Sequence, residues 1–408
     1  MASESTEKSP PPSTVKPEDA PSLEEVLAIE PSEERMARLA EIIELDLPNV
    51  SEEVRRHIFR DDVRVLSILY NQILAGVKLD ENIVDGLMVN AVDTHVHGAS
   101  DPFERLMPED LIARDFTDAA FRAIVIKTWF TPSASRNQIV QRLTDEYAEA
   151  HSLRAVRVLG GVTLNYSVGG INPDVVRKCL GFPGMKYVWV PMVDSYHHRR
   201  VVYDDWSGFG LKFTDDKFNI VSEMKEILRI IADNDLVLAV GHYGYEDAAA
   251  LIEEARRLGV EHIELVHPQL IHSGRHSISQ MNDQIERGAK IMIMTKGLVA
   301  WPPYNNPFFI VRAIRQLGAQ NFVLGSDFGQ VQHIPSLVGD RWGIKSLLAN
   351  GVSVEDMRTI LQDSPREHLG LEPVESEGVP QIRRAGFGTP HYPGHQHSGE
   401  TGTSERCC

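Results

Sequence analysis

The residues best suited to chemistry in this 408-residue chain begin at Asp93-Thr-His95-Val-His97, two histidines one residue apart at the end of the apolar run 87–97. On an extended strand the side-chain period is two, so Val89, Ala91, Asp93, His95 and His97 are expected on one face. Two imidazoles aimed the same way can hold one metal ion, with Asp93 one step deeper. A His-x-His pair alone is as readily surface chemistry, so it gains its weight from the polar residues that close later apolar runs. Lys127, Asp194 with the pair His197-His198, His242, His267 and Asp327 each fall at or just past the carboxyl end of such a run. Neutral imidazole and carboxylate are the usual ligands of zinc, manganese and iron. A bound divalent ion lowers the pKa of its water and polarises a carbonyl, and Asp327 is expected to serve as ligand and general base.

Those positions require a particular scaffold. Strands are expected at 87–97, 123–130, 156–165, 186–193, 236–242, 263–267, 289–295 and 322–327. Helical patterns at 108–120, 135–151, 173–180, 221–234, 245–258, 277–287 and 307–317 alternate with them. The strands are too apolar on both faces for an open antiparallel sheet, so a parallel sheet covered by helices is implied. Eight such units fit an α/β fold of the (β/α)8 TIM-barrel type, whose active site lies at the carboxyl ends of the strands. Segment 208–220 breaks the rhythm as a hairpin or excursion, and helices at 336–349 and 353–362 close the domain, the last with Ser353 as N-cap.

The expected organisation is a disordered polar tail over 1–21, a helical N-terminal extension over 22–86, the barrel over 87–371 and a disordered tail over 372–408. Within the extension, apolar residues recur at helical spacing over 34–45 and 52–75, and such faces suit a homo-oligomer. His391, His395 and His397 in the last segment read as solvated side chains. A net charge of −17 argues against nucleic acid or an anionic membrane as partner; a small-molecule substrate is part of the functional expectation. Three cysteines give neither a disulfide framework nor a cysteine zinc cluster, and with no apolar leader or membrane-length run the expected home is cytoplasmic.

Asp93-Thr-His95-Val-His97, Gly241-His242, Val266-His267-Pro268 and Gly325-Ser326-Asp327 resemble the strand-end motifs of the amidohydrolase superfamily of metal-dependent hydrolases. The segment Asp363-Ser-Pro-Arg-Glu-His-Leu-Gly-Leu resembles that superfamily's last helix, so the likeness spans 87–371. Ile126-Lys127-Thr128 and the stretch 160–173 look like a little-characterised branch, which brings no substrate with it. The resemblance implies a metal-bearing barrel in which His95, His97 and Asp327 hold a first metal, His242 and His267 a first or second one, and Asp327 shuttles protons. One or two divalent ions, zinc with manganese or iron as alternatives, are expected.

Lys127 shares an inward face with Ala123, Val125 and Trp129, where a charge without a partner is costly. Carbamylation would make it a bridging anionic ligand, as the bridging lysine is in many members of that superfamily, although there it comes from the fourth strand and here from the second. A partner for a substrate carboxylate and a salt bridge to Asp93 or Asp327 are the alternatives. His198 is preferred to His197 as the inward member of its pair, giving it a catalytic or substrate-contacting role. Trp129, Asn165, Trp301 and Tyr304 follow strands and are candidates for the substrate pocket. Lys212 is the rival to Lys127 for the bridging role, with a solvated lysine in the excursion as the other reading; Gly169-Gly170-Ile-Asn172-Pro173 is either an anion-binding helix start or a tight turn, while Lys296 and Arg199 are either anion binders or surface charges. The functional expectation is a hydrolase acting on an amide, lactam, imide, lactone or other ester. The alternatives are a metal-dependent non-oxidative decarboxylase and a non-catalytic barrel acting as a binding or assembly module.

Overall fold

The computed structural model describes residues 80–205, 207–299 and 307–372. Both expected tails, the helical patterns at 34–45 and 52–75, and Trp301 and Tyr304 lie outside the described residues. Eight parallel strands follow one another around a barrel in sequence order. They are β1 Val92–Val96, β2 Ala123–Ile126, β3 Arg157–Thr163, β4 Met185–Trp189, β5 Val237–Val240, β6 His262–Leu265, β7 Ala289–Met294 and β8 Phe322–Gly325. The ring meets itself at the carboxyl end, where His97 N–H donates to the Phe328 carbonyl at 2.9 Å and Asp327 N–H to the His95 carbonyl at 2.7 Å. No helix among the described residues is long and apolar enough to cross a membrane.

The expected (β/α)8 TIM barrel is what forms, with each strand shorter than its apolar run. At β5, β6 and β8 the runs continue through His242, His267 and Asp327, where the backbone has already turned out of the ladder; the run 87–97 instead begins in the helix Glu81–Met88, so Leu87 and Met88 are helical and Val89 and Ala91 lie ahead of β1 rather than on its face. His242, His267 and Asp327 adopt positive φ values of 60°, 35° and 54°. An L residue is sterically strained in that region, and such strain persists where the surroundings fix it and is concentrated at functional sites. The excursion at 208–220 holds only bridge pairs, Ser195 to Leu211 and Thr214 to Ile220, and is preceded by a short helix, Tyr196–Val202, that the strand-helix alternation does not foretell. Gly169 and Gly170 have φ of 93° and 74° and form the turn before helix Pro173–Cys179, whose N-cap Asn172 side chain accepts from Asp174 N–H. The tight-turn reading of that segment accounts for its glycines.

One expectation about facing is corrected. The β1–β2 register slips between Asp93 and Val96, a bulge that puts an extra residue on β1. Asp93 therefore does not sit beneath the two imidazoles. Its Oδ1 accepts from the N–H groups of His95 at 2.8 Å and Ser326 at 2.9 Å. The carboxyl also faces Asp340 of the outer helix Ser336–Ala349, and burial raises the Asp93 pKa to about 6. It is a clamp between β1 and β8. Gly325 shows how tight that seam is, since a Cβ there would lie 2.8 Å from His95 Cβ and 2.9 Å from Met292 Sδ. Gly325→Ala is expected to destabilise the fold by about 1–3 kcal/mol through overpacking, read as a lower denaturation midpoint with an unchanged slope.

Thr94 takes the inward position that Asp93 vacates. With Tyr187 and Glu264 it forms a buried polar layer in the barrel, where Tyr187 O–H donates to Glu264 Oε2 at 2.9 Å. Burial pushes the Glu264 carboxyl from 4.5 up to about 8, with Tyr187 and Thr94 offsetting part of the cost. The folded state thus holds a proton that the unfolded chain releases. Its stabilising contribution is complete below pH 4.5 and is lost as pH rises through about 8. Glu264→Gln is expected to be relatively more stable than the parent at high pH and to flatten this slope by roughly a few kcal/mol in denaturation curves across that window.

Candidate metal centre

At the carboxyl ends of the strands the side chains gather into two adjacent sets, each with its ligand atoms within 4.8 Å of one another. The first is His95, His97 and Asp327; the second is His242, His267 and His272. His95 and His267 join the sets with ring centroids 5.9 Å apart. In the first set, Asp327 Oδ1 lies 3.0 Å from His97 Nε2 and 3.4 Å from His95 Nε2. In the second, the His242 and His267 rings are 5.2 Å apart and His272 completes the triangle at 4.4 and 5.0 Å.

Burial holds the five imidazoles in the neutral form that binds metal. It lowers His95 and His97 to about 3, with Lys127 and Arg105 respectively adding to the effect. His242, His267 and His272 are lowered well below the ordinary histidine value for the same reason. Burial alone would raise Asp327, but the Lys296 ammonium and then the His95 and His97 rings outweigh it and hold the carboxyl well below its usual range. Neutral imidazoles and an ionised carboxylate are the species a divalent ion needs, because protonated ligands must first lose their protons. Both ring nitrogens of His95 and Nδ1 of His97 are buried without a hydrogen-bond partner among the described residues. Such orphaned groups are costly in an apolar interior, and a cation would satisfy one nitrogen of each ring that bound it. The donor sets, three nitrogens in one and two nitrogens with an oxygen in the other, fit zinc, manganese or iron.

The supporting contacts fix ring orientation. Ser273 Oγ meets His267 Nδ1 at 3.0 Å and accepts from His242 N–H at 3.1 Å, leaving His267 Nε2 for the ligand set. Ser195 Oγ donates to the His242 carbonyl at 2.7 Å and accepts from His198 N–H at 3.0 Å. The Ser273 contact to the His267 ring sets which nitrogen that residue presents, while the Ser195 bonds fix the backbone of His242 and His198. His198 is the inward member of its pair, its Nδ1 2.8 Å from His242 Nδ1, so it braces a ligand ring rather than facing Asp327.

Lys127 follows β2, is 1% exposed and makes no ion pair among the described residues. The salt bridge to Asp93 or Asp327 is therefore absent, since Lys296 occupies Asp327 Oδ2 at 2.7 Å. Burial lowers the Lys127 pKa to about 7, opposed by Asp327 and reinforced by Arg105 and Lys296. The ammonium sits 5.9 Å from the Trp189 ring and exerts its field on rings of both ligand sets. Burial therefore favours the neutral amine, the nucleophilic form that carbamylation requires.

Among the candidates for substrate contact, Trp129 is edge-on to His97 at 5.7 Å and buried. Asn165 commits its amide to the scaffold, donating to the Trp129 carbonyl at 2.9 Å and accepting from Met192 N–H at 2.9 Å. Lys212 is exposed over the Tyr196 ring, and Arg199 pairs with Asp205, so both sit away from the ligand sets. One residue was missed and one left ambiguous. His272 lies in the turn Ile271–Ser273, five residues past His267, and only that His-x4-His spacing hints at it. Lys296, 4% exposed, follows β7 at the same strand-end position as the ligands, the signal that distinguishes it from a surface cation.

The chain is similar in fold to three solved structures, each with low identity. An amidohydrolase from Pseudomonas aeruginosa is 12% identical with a TM-score of 0.47, over 71% of this chain and 99% of that one. The 2,6-dihydroxybenzoate decarboxylase from Rhizobium is 11% identical with a TM-score of 0.42, over 69% and 99%. The organophosphorus hydrolase from Deinococcus radiodurans is 14% identical with a TM-score of 0.43, over 69% and 92%. No curated protein sequence matches this one. The sequence pattern of DUF6282, described as a family of unknown function, matches residues 90–292, the stretch that carries every member of the two ligand sets except Asp327.

Proposed function

We propose that the protein is a metal-dependent hydrolase that cleaves an amide, lactam, imide, lactone or other ester bond of a small molecule. The observation that carries this reading is the pair of buried candidate ligand sets at the carboxyl end of a barrel, where burial favours the neutral imidazoles and Lys296 the ionised Asp327. His95, His97 and Asp327 would hold one ion and His242, His267 and His272 a second, with Lys127 placed to influence both. When bound, such an ion activates water and polarises a carbonyl. Asp327 keeps Oδ2 on Lys296, which fixes the carboxylate plane, and offers it as the acceptor for the proton released when water attacks. Trp129 and Trp189 wall the site with apolar surface that excludes bulk solvent. A cytoplasmic homo-oligomer belongs to the same reading.

The test is a panel of amides, lactones, esters and carboxylated aromatics turned over by metal-reconstituted protein in oxygen-18 water. One solvent oxygen in the organic product without carbon dioxide supports hydrolysis. Carbon dioxide with no label in the organic product replaces it with the decarboxylase reading. A chain that neither turns over the panel nor binds metal is a binding or assembly module.

A further inference from the structure

Beside the first ligand set, two buried hydrogen-bond donors stand without acceptors. Arg105, in the loop after β1, is 7% exposed and its guanidinium lies 5.3 Å over the Trp129 ring. Asp101 holds it from behind, Oδ2 accepting from Arg105 Nη2 at 2.7 Å and from Trp129 N–H at 3.4 Å. That clamp uses one guanidinium N–H and leaves the buried Asp101 Oδ1 without a donor among the described residues. Arg105 Nε and Trp129 Nε1 are buried and have no acceptor among the described residues. Both lie on the His97 side, for the Trp129 ring is 5.7 Å from His97 and Arg105 is, after burial, the strongest influence keeping that imidazole neutral. The backbone of Arg105 is bridged to Gln330, just past Asp327, so the loop is tied to the far side of the site.

Burying donors without acceptors costs free energy that a ligand supplying those acceptors restores. We propose that Arg105 and Trp129 form a subsite for a carboxylate on the substrate. The guanidinium and the indole N–H are two free donors that a two-oxygen anion can accept from, and Asp101 fixes the guanidinium before binding. This deepens the hydrolase reading and rests on it for the word substrate: the bond cleaved belongs to a molecule that also carries a carboxylate, docked beside His97.

The test is calorimetric titration of the full chain, both metal-loaded and chelator-washed, with benzoate and with its neutral analogue benzamide. Benzoate is expected to bind about tenfold more tightly than benzamide in both states, the size of one charge-assisted hydrogen bond. Because removing Arg105 alone strands Asp101, the variant is Arg105→Met/Asp101→Asn, which should lose that preference while changing benzamide binding less than about twofold. Trp129→Phe keeps the ring and should lose part of the preference. Equal binding of the two probes, or a preference unchanged in the double variant, overturns the proposal. If the protein proves metal-free while the preference follows Arg105, the hydrolase reading fails and the subsite stands.

Discussion

His95→Ala/His97→Ala is expected to remove one metal equivalent and at least about a hundredfold of activity, since even lost supporting partners of metal ligands cost about 10–100-fold. The argument is geometric. These rings supply two of the three ligands in the first set, and Asp327 alone, already paired with Lys296, cannot retain an ion. The second set has three ligands of its own, so elemental analysis should find two equivalents in the parent and one in this variant. His242→Ala/His267→Ala should likewise leave one. Loss of all metal in both variants would mean a single ion shared across the 5.9 Å gap between His95 and His267, and no metal in the parent would sink the metal reading altogether. Circular dichroism on each variant separates ligand loss from unfolding.

The barrel was legible because its strands are buried on both faces and its helices on one, a contrast that survives as a change of period in the sequence. The candidate ligands at the strand ends drew notice for a related reason: a histidine or aspartate closing an apolar run has no core role to explain it. What escaped detection depends on local geometry that spacing does not encode. The β1 bulge turns Asp93 outward and Thr94 inward, reversing a facing argument that assumes strict alternation. His272 reaches the site from a single turn of 3-10 helix, where neither the strand nor the α-helix period applies. Arg105 lies in a loop, and its burial follows from Asp101 and Trp129 closing around it, contacts 4 and 24 residues away in sequence. Lys296 was ambiguous because a lysine after a strand is ordinarily solvated, and only the position of Asp327 opposite makes it an internal cation.

Asp327→Asn should separate the chemistry from the scaffold. The amide keeps the carboxylate's shape and one oxygen for a ligand bond, but it cannot take up a proton. Turnover is expected to fall by about two to four powers of ten, the usual worth of general-base catalysis, with metal content largely retained. Near-normal kcat would refute the base assignment. The same substitution removes the counter-charge of Lys296, whose side chain is 6% exposed. Breaking a buried pair from one side costs about 3–5 kcal/mol, because the remaining charge is left uncompensated. Stability measured by denaturation should therefore drop in Asp327→Asn and recover in Asp327→Asn/Lys296→Met, where the stranded ammonium is gone. Activity should stay low in both. If instead Lys296→Met alone lowers kcat while leaving metal content and KM unchanged, the lysine holds the carboxylate in its reactive orientation. The buried pair is then part of the catalytic geometry as well as of the fold.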